Sequence, residues 1–162
     1  LVVHPYADTI RKQYAIREKL YENQDILPEF ELITLKAVQS SAYAEVPFKD
    51  WFEALKFMED EIVKIDFDIC LLGCGAYGLP LAAHVKRKQA IHIGGGIQLL
   101  FGIKGKRWEE EYKALSEEHI FGYNVPFSLN LDYYKLFNQY WVNPSIHETP
   151  KAAKSVEGAC YW

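Results

Sequence analysis

Gly73-Cys74-Gly75-Ala76-Tyr77-Gly78 spells G-x-G-x-x-G directly after an apolar run and directly before a helical one. Glycines at this spacing let a backbone turn tightly and approach a phosphate, while the N–H groups opening the next helix attract the anion. A glycine turn of this kind also serves as a plain strand-to-helix connection. A second glycine group, Gly94-Gly95-Gly96, closes the next apolar run and suggests another close backbone approach, to a base or a sugar, or simple turn punctuation. Lys104, Lys106 and Arg107 follow as a compact positive cluster, of the kind that neutralises a diphosphate or lies as a solvated loop. Phosphate contact is thus expected at Gly73, Gly75, Ala76, Tyr77 and Gly78, with Gly94, Gly95, Lys104, Lys106 and Arg107 completing a nucleotide site.

The same stretch argues against some nucleotides. A dinucleotide site usually adds an acid at the end of the next strand to hold a ribose. Here that strand ends Ile93-Gly94, with no acid, which counts against NAD and leaves S-adenosylmethionine open. Asp66-Phe67-Asp68 has the D-x-D form of a divalent-cation site, but it precedes its strand whereas the glycine turn follows it. Five strand residues at about 3.3 Å each separate the two ends by roughly 16 Å, so the pair reads as a polar strand entry.

His4 ends the first strand and Gln39 and Ser40 end the second, so both groups fall on the edge where ligands of parallel sheets collect. His4 is a candidate for orienting a substrate or acting as a base near neutral pH. Asp8, just beyond it, reads first as a helix N-cap and second as a substrate-edge residue. His84 and His92 fall inside a helix and a strand, while His119 and His147 lie in weakly patterned sequence. No set has metal-ligand spacing. Cys74 sits near a helix N-terminus, where a thiol pKa can fall, yet no partner base is visible. The catalytic residues are therefore unassigned.

These residues need elements to position them. Leu1–His4, Glu31–Val38, Asp68–Leu72 and Ala90–Ile93 read as strands. Between them lie a helix opened by Asp8 and ending before Leu27-Pro28, a helix opened by Pro47 and Asp50 and running to Lys64, and a helix from Pro80 to Lys88. The second carries the apolar stripe Trp51, Phe52, Leu55, Met58 and Ile62. Ile97–Phe101 starts a fourth helix, Lys104–Trp108 is a basic turn, and helices are expected over Trp108–Glu118, Asn130–Phe137 and Lys151–Val156. This alternation predicts an α/β, Rossmann-like three-layer sandwich with a mainly parallel sheet of four or five strands, in the order 2-1-3-4. Residues 1–108 form that core, and 109–162 a helical or extended C-terminal extension packed on it.

Composition excludes several classes. The 162 residues are 49% hydrophobic and 25% charged, values of an ordinary globular chain. A net charge of −4 argues against a dedicated nucleic-acid binder. No apolar run reaches the length of a transmembrane helix. Three cysteines imply no disulfide framework, and a cytoplasmic location is the simplest expectation. The chain opens without Met inside a strand-like run, as a fragment would. The 15% aromatic content fits a site or an interface equally, so a homo-oligomer stays open.

Seven runs are distinctive as a set: VVHPYADTIRKQY, LPEFELITLKAVQS, FKDWFEALKFMEDEI, IDFDICLLGCGAYGLPLAAHVKR, AIHIGGGIQLLFGIKGKRW, YWVNPS and VEGACYW. Together they resemble the carboxy-terminal part of a bacterial, largely uncharacterised family carrying a GT-D-like, glycosyltransferase-type domain. The resemblance spans nearly the whole chain apart from roughly residues 109–136. It implies a Rossmann-like sheet holding a nucleoside-diphosphate sugar with Mn²⁺ or Mg²⁺, and a link to surface polysaccharide synthesis. The acidic metal motif of active members, R-x-G-D-G-E, has no counterpart here. By analogy it gives the Gly73–Gly78 turn, Gly94, Gly95 and Lys104–Trp108 a nucleotide-facing role. Three readings follow: a nucleotide-sugar-binding domain of a glycosyltransferase-like protein, a non-catalytic binding or assembly module, and an enzyme of another nucleotide cofactor.

Overall fold

The computed structural model describes residues 1–40, 44–85, 88–111, 136–155, 157–159 and 161–162. The expected helices over Trp108–Glu118 and Asn130–Phe137 fall mainly outside these residues, as do His119 and Cys160. The described elements are β1 (Val2–His4), α1 (Ala7–Tyr14), β2 (Thr34–Lys36), α2 (Trp51–Val63), β3 (Ile69–Leu72), α3 (Gly78–His84), β4 (Gln89–His92) and α4 (Gly96–Leu100), with short 3₁₀ turns and a π-helical turn at Arg107–Glu111. The four strands form one all-parallel sheet in the order β2-β1-β3-β4. In register, Val2 pairs with Thr34 on one side and with Leu71 on the other.

Side-chain alternation along the strands builds the two outer layers. Leu1 and Val3 of the first strand segment, with Cys70 and Leu72 of β3, face Ala54, Met58 and Ile62 of α2 and Leu81 of α3. Val2 and Leu71 point the other way, into a second core with Ile10 of α1, Ile97 and Phe101 around α4, and Trp141. Helices therefore cover both faces of the sheet, as the sequence alternation requires.

Several local details differ from expectation. The second strand is only three residues long, because only Thr34–Lys36 finds ladder partners on β1. On α2, Ala54, Met58 and Ile62 form the buried stripe at i, i+4 and i+8, while Phe52 projects into solvent at 73% exposure. Asp50 does cap α2, accepting the N–H of Glu53 at 2.9 Å. The third helix stops at His84 rather than Lys88.

Asp8 is not the cap of α1. That position belongs to Tyr6, whose side chain makes no capping bond. The carboxylate of Glu148 does the work from the far end of the chain. It is 2% exposed and accepts the N–H of Asp8 at 2.8 Å, the N–H of Thr9 at 3.4 Å and the Thr9 hydroxyl. Two orphan donors and the positive end of the helix are thereby satisfied by one anion. Asp8 instead pairs with Arg11 on the exposed side of the helix. Gln13 of α1 donates to the carbonyls of Gly102 and Tyr140, and Trp141 donates to the carbonyl of Leu20. The described part of 136–155 is thus tied to α1. Glu148→Ala is expected to lower stability by about 1–3 kcal/mol, seen as a melting temperature lower by several degrees, with Glu148→Gln recovering part of the loss. An unchanged melting temperature in Glu148→Ala would contradict the capping role.

Candidate functional site

The chain leaves β1 towards β2 on one side and β3 towards β4 on the other. The gap between the carboxyl ends of β1 and β3 is therefore the topological switch point of the sheet, where open α/β folds bind ligands. A cavity of about 520 Å³ lies there. Its walls come from every strand end: His4-Pro5-Tyr6 after β1, Val38–Ser40 after β2, Gly73–Tyr77 after β3, and His92, Gly94 and Gly95 after β4. Trp51, Gln98, Tyr161 and Trp162 complete it.

Each glycine of the G-x-G-x-x-G has a distinct reason. A Cβ on Gly73 would stand 2.6 Å from Cδ2 of His4 and 2.8 Å from the carbonyl oxygen of Gly94. A Cβ on Gly78 would stand 2.6 Å from the ring carbons of His92. These two glycines admit neighbouring protein groups. Gly75 differs: its φ is +56° and nothing lies within 4 Å of its Cβ position. Gly75 and Ala76 are exposed, and their N–H groups have no acceptor among the described residues. Of the expected phosphate contacts, these two are the open ones.

Tyr77 lines the cavity with its ring stacked on Trp51 at 5.1 Å and 7°, and its hydroxyl lies 2.5 Å from Ser40 Oγ. Gln39 is also in the wall, whereas Asp8 is not. Gly94, with φ +65°, and Gly95 are both present, but the second glycine group also has a packing cause. A Cβ on Gly95 would meet the Tyr161 ring at 3.0 Å, and one on Gly105 the Tyr161 carbonyl oxygen at 2.9 Å. The same carbonyl accepts from Gln98 Nε2 at 2.9 Å and from the Tyr6 hydroxyl at 3.3 Å.

The basic cluster lies outside the wall. Lys104 pairs with Glu109 at 3.2 Å, Lys106 Nζ donates to the carbonyl of Gly158, and Arg107 donates to the Tyr161 hydroxyl at 2.8 Å while lying over its ring. Trp108 is buried against Gly95 and Gly105, and Trp141 in the second core, so neither lines the cavity. Asp66 is at the opposite end of β3, paired with Lys88 in solvent. No Lys, Arg, Asp or Glu lines the cavity among the described residues. Nor do three His, Cys, Asp or Glu side chains converge among them. The cavity walls therefore do not fit a divalent cation.

Burial sets the chemistry of the titratable groups. Desolvation pushes the Cys74 thiol up to about 12 and Cys70 up to about 11. The lowered thiol pKa expected from the adjoining helix start is overridden, and Cys74 stays an inert thiol. His4, 3% exposed, is driven down to about 3 by the same cause. It is a neutral imidazole at physiological pH and not a base poised near 7. Its Nδ1 accepts the N–H of Tyr6 at 3.0 Å, which places the ring proton on Nε2.

Sequence reasoning missed Trp51, His92, Gln98, Tyr161 and Trp162 in the wall. The paired glycines at 94–96 and 105 were the only signal, and they pointed to a close neighbour without naming it. No protein-family model, curated protein or solved structure matches this chain. Among the described residues no helix is long and apolar enough to cross a membrane.

Two outcomes are expected. Gly73→Ala should lose about 2–3 kcal/mol because backbone as well as side chain blocks its Cβ. Gly75→Ala should lose only about 1 kcal/mol, from its left-handed φ. Urea denaturation measures both, and equal losses would refute the assignment. Separately, the unfolded chain protonates His4 near pH 6.5 and the folded chain near 3. Stability is therefore full above about pH 6.5 and falls as pH drops through that window, by up to about 1.4 kcal/mol per unit from this group. A His4→Phe variant should show a shallower slope of stability against pH from 6.5 to 4.

Proposed function

We propose that the chain is a nucleotide-binding domain of the nucleotide-sugar type, belonging to a glycosyltransferase-like protein of surface polysaccharide synthesis. The observation that carries this reading is the switch-point cavity with the open N–H groups of Gly75 and Ala76 at its rim. Its volume falls within the roughly 300–1,000 Å³ of small-molecule sites. The two N–H groups suit a phosphate oxygen of the donor. In sugar transfer the nucleoside diphosphate departs as an anion, and fixed N–H donors would stabilise the charge developing on it. Tyr6, Trp51 and Tyr77 offer aromatic surface, and Gln39, Ser40 and Gln98 offer hydrogen bonds. Lys104, Lys106 and Arg107 enter this reading only as charge outside the wall.

The absence of any carboxylate from the described wall bears on the reaction. The described wall offers no carboxylate to ligate a metal-bound diphosphate, so no step is assigned to a metal. That observation favours, as the second reading, a binding module over a complete transferase site.

A thermal-shift panel tests the proposal, using UDP, UDP-sugars, GDP, NAD and S-adenosylmethionine, each in EDTA and in Mn²⁺. A ligand at 100 times its Kd adds about 2.7 kcal/mol, roughly 5–10 °C for a chain of this size. A nucleoside diphosphate is expected to give such a shift in EDTA as well as in Mn²⁺, and Gly75→Val to lose at least half of it. A flat panel, or a full shift in folded Gly75→Val, would contradict the reading.

A further inference from the structure

The polarity of the cavity is graded from rim to floor. At the rim, Gly75 and Ala76 are exposed and present the two open N–H groups. At the floor, His4 is 3% exposed and Gln98 is 1% exposed. His4 Nδ1 is already used by the Tyr6 N–H, and Nε2, which carries the proton, has no hydrogen-bond partner among the described residues. Gln98 gives its amide N–H to the Tyr161 carbonyl. Tyr6, Trp51 and Tyr77 supply ring surface between floor and rim. Among the described residues no formally charged Lys, Arg, Asp or Glu side chain reaches the wall at either depth.

Phosphates cannot be taken into such a floor without a large desolvation penalty, because two N–H groups cover only one or two of their oxygens. An uncharged, flat, oxygen-bearing ring meets no such penalty and gains the buried donor. We propose that the floor of the cavity recognises the uncharged nucleoside portion of the ligand, with His4 Nε2–H donating to one of its oxygens, while the phosphates stay at the solvated rim on Gly75 and Ala76. His4 is then the residue that selects the nucleoside, as a fixed donor rather than as a base. A donor lining the cavity on a residue only 3% exposed favours rings that carry a matching acceptor. The low pKa of His4 agrees with this role, since the ring keeps one tautomer and no charge throughout the physiological range.

The inference rests on reading the cavity as a nucleotide site, and calorimetry separates the two. The probes are uridine, guanosine and adenosine with their 5′-diphosphates, each titrated into the wild-type chain at 50 and 500 mM NaCl. One nucleoside is expected to bind within about tenfold of its diphosphate, with a Kd that salt leaves unchanged. His4→Phe keeps an aromatic ring without the donor. It should weaken that nucleoside and its diphosphate by the same factor, about 3–10-fold for one neutral hydrogen bond. Gly75→Val should weaken the diphosphate alone. Diphosphate binding that falls steeply with salt, with no nucleoside binding, would overturn this inference and leave the nucleotide reading standing. No binding by any of the six would overturn both. The wild-type comparison of nucleoside, diphosphate and salt decides the matter even if His4→Phe fails to fold.

Discussion

At the switch point of the sheet, the imidazole of His4 and the carbonyl of Gly94 converge on the α-carbon of Gly73 from two other strands. A side chain there would drive apart the ends of β1, β3 and β4, and the cavity is the space those ends enclose. That close approach fixes several features together. It buries His4, which makes the ring neutral. It seats Ile97 of α4 beside the same α-carbon. It leaves Gly75, two residues further on, exposed to solvent. A glycine read as a phosphate contact is thus first a packing device, and the open N–H groups lie on Gly75 and Ala76 after it.

At Cys74, burial competes with helix-end electrostatics, and burial wins. Cys74 sits at the start of a helical turn, yet its thiol is pushed up to about 12 because desolvation outweighs the few N–H dipoles nearby. Glu148 is buried at the start of α1, with its carboxylate held by two N–H groups and a hydroxyl. A buried anion is tolerable where its donors are complete. The cavity, lacking any such set of charges in its described wall, is suited to hold a neutral group.

The strand order and the two-faced core were legible in the sequence because they depend on local period and on crossover lengths. The apolar alternation of Val2 and Val3, or of Cys70, Leu71 and Leu72, is visible without partners. The position of the cavity was legible too, since strand ends such as His4, Gln39 and Gly73 are set by the same pattern. What could not be read was long-range pairing. Glu148 caps a helix 140 residues away, and Asp8 carries a stronger local capping pattern than the residue that does the work. The burial of His4 depends on Gly73 and Gly94 together, and Tyr161 reaches the wall through contacts no spacing announces. The charge of Lys104, Lys106 and Arg107 was read correctly as a cluster, but its direction depends on Glu109, Gly158 and Tyr161.

The central claim is that the ligand enters at the switch point, with anion contacts at Gly75 and Ala76 and a buried donor at His4. Nitrogen-15 chemical-shift mapping of the labelled chain during titration with a nucleoside diphosphate tests it at the level of single atoms. The account predicts the largest shifts at the amides of Gly75 and Ala76 and at the imidazole nitrogens of His4, with small changes at Lys104, Lys106 and Arg107. Large shifts confined to that basic turn, with Gly75, Ala76 and His4 unmoved, would contradict it.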